Sequence, residues 1–123
     1  MLGDVLKNNL YKLRNTSKNN FWIVLRDIAY QEIIELNSKV DSDQIIPVYY
    51  KIIKQNIDQI PDYFAQTLKS NKQERFRVVI RNLFTSNALH SSGLGRMKGI
   101  KAYKQINENK KGYRNVFYKE DVK

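Results

Sequence analysis

The chain has 123 residues, 41% of them hydrophobic, and a formal net charge of +10. That length suits one domain with a single modest core, and the apolar content excludes a fully disordered polyelectrolyte. With no cysteine, disulfides and thiolate metal sites are excluded, and a reducing compartment is compatible.

Asp4 can cap a first helix that carries Leu6, Leu10 and Leu13 on one face. Lys7, Lys12 and Arg14 beside those leucines faintly resemble an organelle-targeting helix, but Asp4 and the scarcity of Ser and Arg favour an ordinary amphipathic one. The opening residues lack the apolar block of a secretory signal, so an intracellular location, cytoplasm or organelle matrix, is expected. "NTSKNN" (Asn15 to Asn20) reads as a turn, with Thr16 or Ser17 able to cap the next helix. That helix is expected from about Lys18 to Leu36. Phe21, Leu25, Ile28, Ala29 and Leu36 make its stripe, and Trp22, Ile33 and Ile34 widen it. Arg26, Asp27, Gln31, Glu32 and Glu35 are expected to fill the solvent side. The run Phe21 to Leu25 is the longest uninterrupted apolar stretch, far too short to span a bilayer.

Asn37 to Asp43 reads as a connector. "QIIPVYYKIIKQNIDQI" (Gln44 to Ile60) has β-branched content suited to a strand, but Tyr49, Ile52, Ile53, Ile57 and Ile60 keep helical spacing. A helix starting near Pro47 is expected. Pro61 ends it and opens a short helical turn through Phe64 and Leu68. "SNKQE" (Ser70 to Glu74) carries a capping-box pattern, and a helix over about 72–89 follows. Its stripe is Phe76, Val79, Ile80, Leu83 and Phe84, flanked by Arg75, Arg77 and Arg81. The expected fold is all-α: a bundle of four to five short helices over residues 1–90, then a basic, partly extended C-terminal arm over 91–123.

Charge is unevenly spread. Residues 1–66 hold eight basic and eight acidic side chains; residues 67–90 carry +4 and residues 91–123 carry +6. Crowded like charges repel, and an acidic partner relieves that repulsion. Nucleic acid is the commonest such partner, followed by an anionic membrane surface or an acidic protein face. A basic tail kept only for solubility is the plainer alternative.

No catalytic or metal constellation stands out. His90 is the only histidine and reads as a helix-end residue, and no metal site or cofactor is expected. Gly93, Gly95 and Gly99 lack the spacing and the preceding strand of a nucleotide-binding loop; they suit a sharp turn, a close approach, or a hinge. Asp27, Glu32, Glu35, Asp41 and Asp43 look like a solvated face with helix-terminal acids rather than a catalytic pair, so the chain is not expected to be an enzyme.

The positive constellation interleaves basic and aromatic side chains. Arg96, Lys98, Lys101, Tyr103, Lys104, Lys110, Lys111, Tyr113, Arg114, Tyr118 and Lys119 join Arg75, Arg77 and Arg81 as candidate nucleic-acid contacts. Lysine and arginine neutralise phosphates, and aromatic rings stack on unpaired bases. The mixture favours RNA with exposed bases over a duplex groove. In "GLGRMKGIKAYKQI" the apolar residues Leu94, Met97, Ile100, Tyr103 and Ile106 recur at every third position. On an α-helix such a step winds round the cylinder, so the five are expected to touch more than one neighbour or to lie outside a regular helix. A small body with a long basic tail is similar in character to ribosomal proteins in general. The abundant Lys, Asn and Ile (15, 13 and 13 residues) further suggest an A/T-rich coding sequence. The expected function is a non-enzymatic structural subunit binding RNA in a ribosome-like or other ribonucleoprotein assembly, alongside protein neighbours. The alternatives are a phage- or plasmid-type DNA-binding module that places helix 72–89 in a major groove, and an accessory helical subunit of a protein or membrane-associated complex.

Overall fold

The computed structural model describes residues 1–69, 100–106 and 113–119. Among these lie α1 (Asp4–Asn8), α2 (Leu10–Arg14), α3 (Phe21–Leu36), α4 (Ser42–Gln55) and α5 (Asp62–Lys69), with a 3₁₀ turn at Ile57–Gln59. Three strands accompany them: β1 (Val40–Asp41), β2 (Ile100–Ile106) and β3 (Tyr113–Lys119). The expected helix 72–89, His90 and the glycines at 93, 95 and 99 lie outside the described residues.

The expected first helix is two short ones. At Asn9 the backbone leaves helical geometry, and the Asn9 side-chain amide donates to the Val5 carbonyl at 2.7 Å. It thereby takes the acceptor that Asn9's own backbone N–H would use in an unbroken helix, and that N–H goes to the Leu6 carbonyl instead. Leu6, Leu10 and Leu13 are buried all the same, against α3. Helix α3 starts at Phe21, three residues later than expected. The Thr16 hydroxyl turns back to the Leu13 carbonyl at 2.8 Å, and the Ser17 carbonyl, not its hydroxyl, receives the Asn20 and Phe21 N–H groups. Asn37, at φ 49°, closes α3 in the left-handed region that asparagine tolerates.

Asp41 organises the next start. Its carboxylate accepts the Asp43 N–H at 2.6 Å, while the Gln44 side chain accepts the Asp41 N–H at 3.2 Å. This capping box begins α4 at Ser42, so Pro47 sits inside the helix rather than at its first position. The β-branched run is helical, as its spacing predicted, only as far as Gln55, and buries Ile45, Ile46, Tyr49, Ile52 and Ile53; Ile57 falls in the 3₁₀ turn and Ile60 is extended. Beyond Pro61, α5 brings Phe64 onto the start of α3. Phe64 stacks on Phe21 with centroids 3.7 Å apart and meets Trp22 edge-on at 5.0 Å. Tyr63 adds a hydroxyl donated to the Thr16 carbonyl at 2.6 Å, which ties α5 to the end of α2.

The all-α expectation fails at the C-terminal arm. Strands β1, β3 and β2 form an antiparallel sheet in that order. Ile100 and Phe117 enter the same core as Leu6, Phe21, Leu25, Ile33 and Tyr49, and Val40 lies across from Phe117. Strand β3 packs on α3 and α4. The Ser42 hydroxyl, at the start of α4, accepts the Asn115 N–H at 3.2 Å. In a strand i and i+3 point to opposite sides, so a step of three alternates between the two faces. Ile100 accordingly sits in the core while Tyr103 lies on the other face.

Glu32 is a second correction. It is fully buried, not solvated. One carboxylate oxygen accepts the Tyr49 hydroxyl at 2.5 Å, and the other accepts the Gly3 N–H. Gly3 is at φ 100°, and a Cβ there would lie 2.6 Å from Ile52 Cδ1 and 2.9 Å from Val48 Cγ1. The N-terminal residues thus reach Glu32 only because position 3 has no side chain.

Candidate nucleic-acid interface

The sheet decides which candidates meet. Strands β2 and β3 pair without interruption from Ile100↔Lys119 to Ile106↔Tyr113. Alternation assigns Ile100 and Phe117 to the core face and Lys101, Tyr103, Val116 and Tyr118 to the opposite face. On that outer face Lys101 pairs with Tyr118, and Tyr103 pairs with Val116. The Tyr103 and Tyr118 rings, diagonal to one another, have centroids 5.9 Å apart and are inclined at 59°. Tyr103 is 37% exposed, while Val116 beside it is buried.

Lys39 joins this group from the other half of the chain. It precedes β1, and its ammonium sits over the Tyr103 ring, 5.5 Å from the centroid. Lys39 and Lys101 are both exposed. The outer face therefore carries a partly exposed aromatic ring with Lys39 over it and Lys101 on the same strand face.

Of the sequence candidates, Lys101, Tyr103 and Tyr118 come together here. Lys119 is half-buried at the end of β3, opposite Ile100. Lys104, Tyr113 and Arg114 pair by backbone register with Asn115, Ile106 and Gln105. Arg75, Arg77, Arg81, Arg96, Lys98, Lys110 and Lys111 lie outside the described residues. The chain matches no protein-family model, no curated protein and no solved structure.

Sequence reasoning missed Lys39, which lies in the charge-neutral part of the chain. Only the pairing of β1 with β3 brings it to Tyr103, and no local pattern signals a contact across more than sixty positions. It also missed the burial of Glu32, for which a signal existed. Position 32 continues the buried stripe of Phe21, Leu25 and Ile28 by one more helical step.

Magnitudes indicate what the outer face can do. An exposed lysine over an aromatic ring gains about 0.5–1 kcal/mol. A nucleic-acid base stacked on such a ring gains ~1–3 kcal/mol, and a lysine released from the ring remains free to neutralise a phosphate. The Glu32 cluster has a different character: Tyr49 and Gly3 engage both carboxylate oxygens, so it serves as a buried tie between α3, α4 and the N-terminus. Among the described residues no group of three or more His, Cys, Asp or Glu side chains is arranged to hold a metal ion. No described helix is long and apolar enough to cross a membrane.

Proposed function

We propose that this chain is a non-enzymatic structural subunit that binds nucleic acid, RNA in preference to DNA, within a ribosome-like or other ribonucleoprotein assembly. The observation that carries this reading is the gathering of Lys39, Lys101, Tyr103 and Tyr118 on one sheet face of a chain with net charge +10. Cations supply sequence-independent attraction for phosphate, and accessible rings favour unpaired bases, which folded RNA displays in loops and bulges. The helical part gives the body that holds this face in place and the surface for protein neighbours.

The test titrates the full chain into a labelled RNA hairpin and into a DNA duplex of equal length over a series of salt concentrations. Tighter binding to the hairpin is expected, with log affinity falling linearly with log salt. Replacing Lys39 and Lys101 by glutamate should weaken binding and flatten that slope. A clear preference for the DNA duplex, or no RNA binding at low salt, would sink the proposal.

A further inference from the structure

The outer face of the sheet carries more than charge. We infer that Tyr103 is a stacking platform for an unpaired RNA base, with Lys39 as a displaceable cover that leaves the ring to pair with the adjacent phosphate. This rests on the nucleic-acid reading above and narrows it to single-stranded RNA at a named ring.

Three observations support it. Tyr103 is 37% exposed although its strand neighbour Ile100 and its cross-strand neighbour Val116 are buried, so the ring is presented from a fixed backbone. An ammonium lies over its face at 5.5 Å, and an exposed ammonium is an easily exchanged occupant. Tyr118, at 5.9 Å and inclined at 59°, supports the ring from the side without covering it in parallel. A flat base that takes the place of the ammonium keeps contact with the π face. The displaced Lys39 and the exposed Lys101 then neutralise backbone phosphates next to that base. A duplex cannot use the ring, because its bases are already stacked on one another.

The experiment compares a ~12-nucleotide oligouridylate with an RNA duplex of the same length, a size that spans a typical single-strand site. The full chain and its Tyr103→Val, Tyr103→Phe and Lys39→Ala variants are used. Wild type should prefer the single strand. Tyr103→Val should weaken single-strand binding by roughly tenfold or more with little change on the duplex, and Tyr103→Phe should keep it. Lys39→Ala should make the salt slope for the single strand shallower by about 0.7, one phosphate's share. An oligonucleotide carrying iodouridine should photocrosslink to wild-type Tyr103, a readout that needs no variant to fold. Equal binding of both RNAs with an indifferent Tyr103→Val, or a crosslink elsewhere, would overturn the stacking inference and leave charge-driven RNA binding standing. Absence of binding to either RNA at low salt would remove both.

Discussion

Tyr49 on α4 donates its hydroxyl to the Glu32 carboxylate on α3 at 2.5 Å, with both side chains fully buried. A buried carboxylate is tolerated only when donors replace its lost water. Here the second donor is the Gly3 N–H. Tyr49→Phe should therefore cost about 1.5–3 kcal/mol, the range for a hydrogen bond to a charged group. Glu32→Leu should cost at least as much, because it strips Gly3 of its acceptor and Tyr49 of this one. Urea unfolding of both single variants and the double variant should show a coupling of about 0.5–3 kcal/mol; strict additivity would rule the pairing out.

The same pair makes stability fall in alkali. Burial above all, then the charge of Glu32 and the hydrogen bond to it, hold the Tyr49 phenol well above its ordinary value of 10.0. The unfolded chain releases this proton near pH 10, while the folded chain keeps it. Protons are then bound more by the native state, so stability is complete below about pH 10 and declines as pH rises beyond it. Tyr49→Phe should be less stable than wild type at neutral pH yet lose less stability between pH ~9 and ~11. Chemical unfolding across that range measures it, and parallel curves would contradict the assignment.

Gly3→Ala tests the approach of the N-terminus. The new methyl group would face Ile52 Cδ1 at 2.6 Å and Val48 Cγ1 at 2.9 Å, at a φ of 100° that L-residues avoid. Strain and overpacking together should cost about 2–4 kcal/mol. A thermal melt within a degree or two of wild type would show that the segment from Met1 to Gly3 docks differently.

Phe117→Ala should cost about 3–5 kcal/mol, as for other fully buried aromatics. This side chain lies in the basic C-terminal segment yet completes the core beside Val40 and Ile100. Removing residues 100–123 to test nucleic-acid binding would therefore unsettle the helices as well. Point changes at Lys39, Lys101 and Tyr103 are the cleaner probes. Circular dichroism of the truncated chain checks this: reduced helical signal is expected.

Asp41→Ala should cost about 1 kcal/mol, the usual loss of a capping side chain. The variant leaves the Asp43 N–H without its 2.6 Å acceptor. A lowered melting temperature with an unchanged strand register would locate the effect in the cap; Asp41→Asn should restore most of it.

The helical pattern was legible in the sequence because its causes are local. Leucines at 6, 10 and 13 and the stripe on α3 are spaced for one face, and they are buried. Tyr49, Ile52 and Ile53 keep that spacing through a β-branched run and are buried as well. Element ends were less legible. The choice at Asn9, Thr16 and Asp41 turns on which of several nearby acceptors a short polar side chain takes, and more than one choice satisfies the local pattern.

By itself, the sequence determined that this protein has a helical body, a core of leucine, isoleucine and aromatic side chains, and a positive charge confined to its later residues. Its spacing around Tyr103 led to the expectation that those residues touch more than one neighbour or lie outside a regular helix. Only the tertiary structure decided that this segment is a strand, that β3 joins it to Val40 and Asp41, and that Lys39 covers Tyr103. It alone placed Glu32 between Tyr49 and Gly3. The reason is physical. Helix periodicity is written within a few neighbouring residues, whereas strand pairing and buried polar contacts join groups distant in the chain, and their register is set by the core they share.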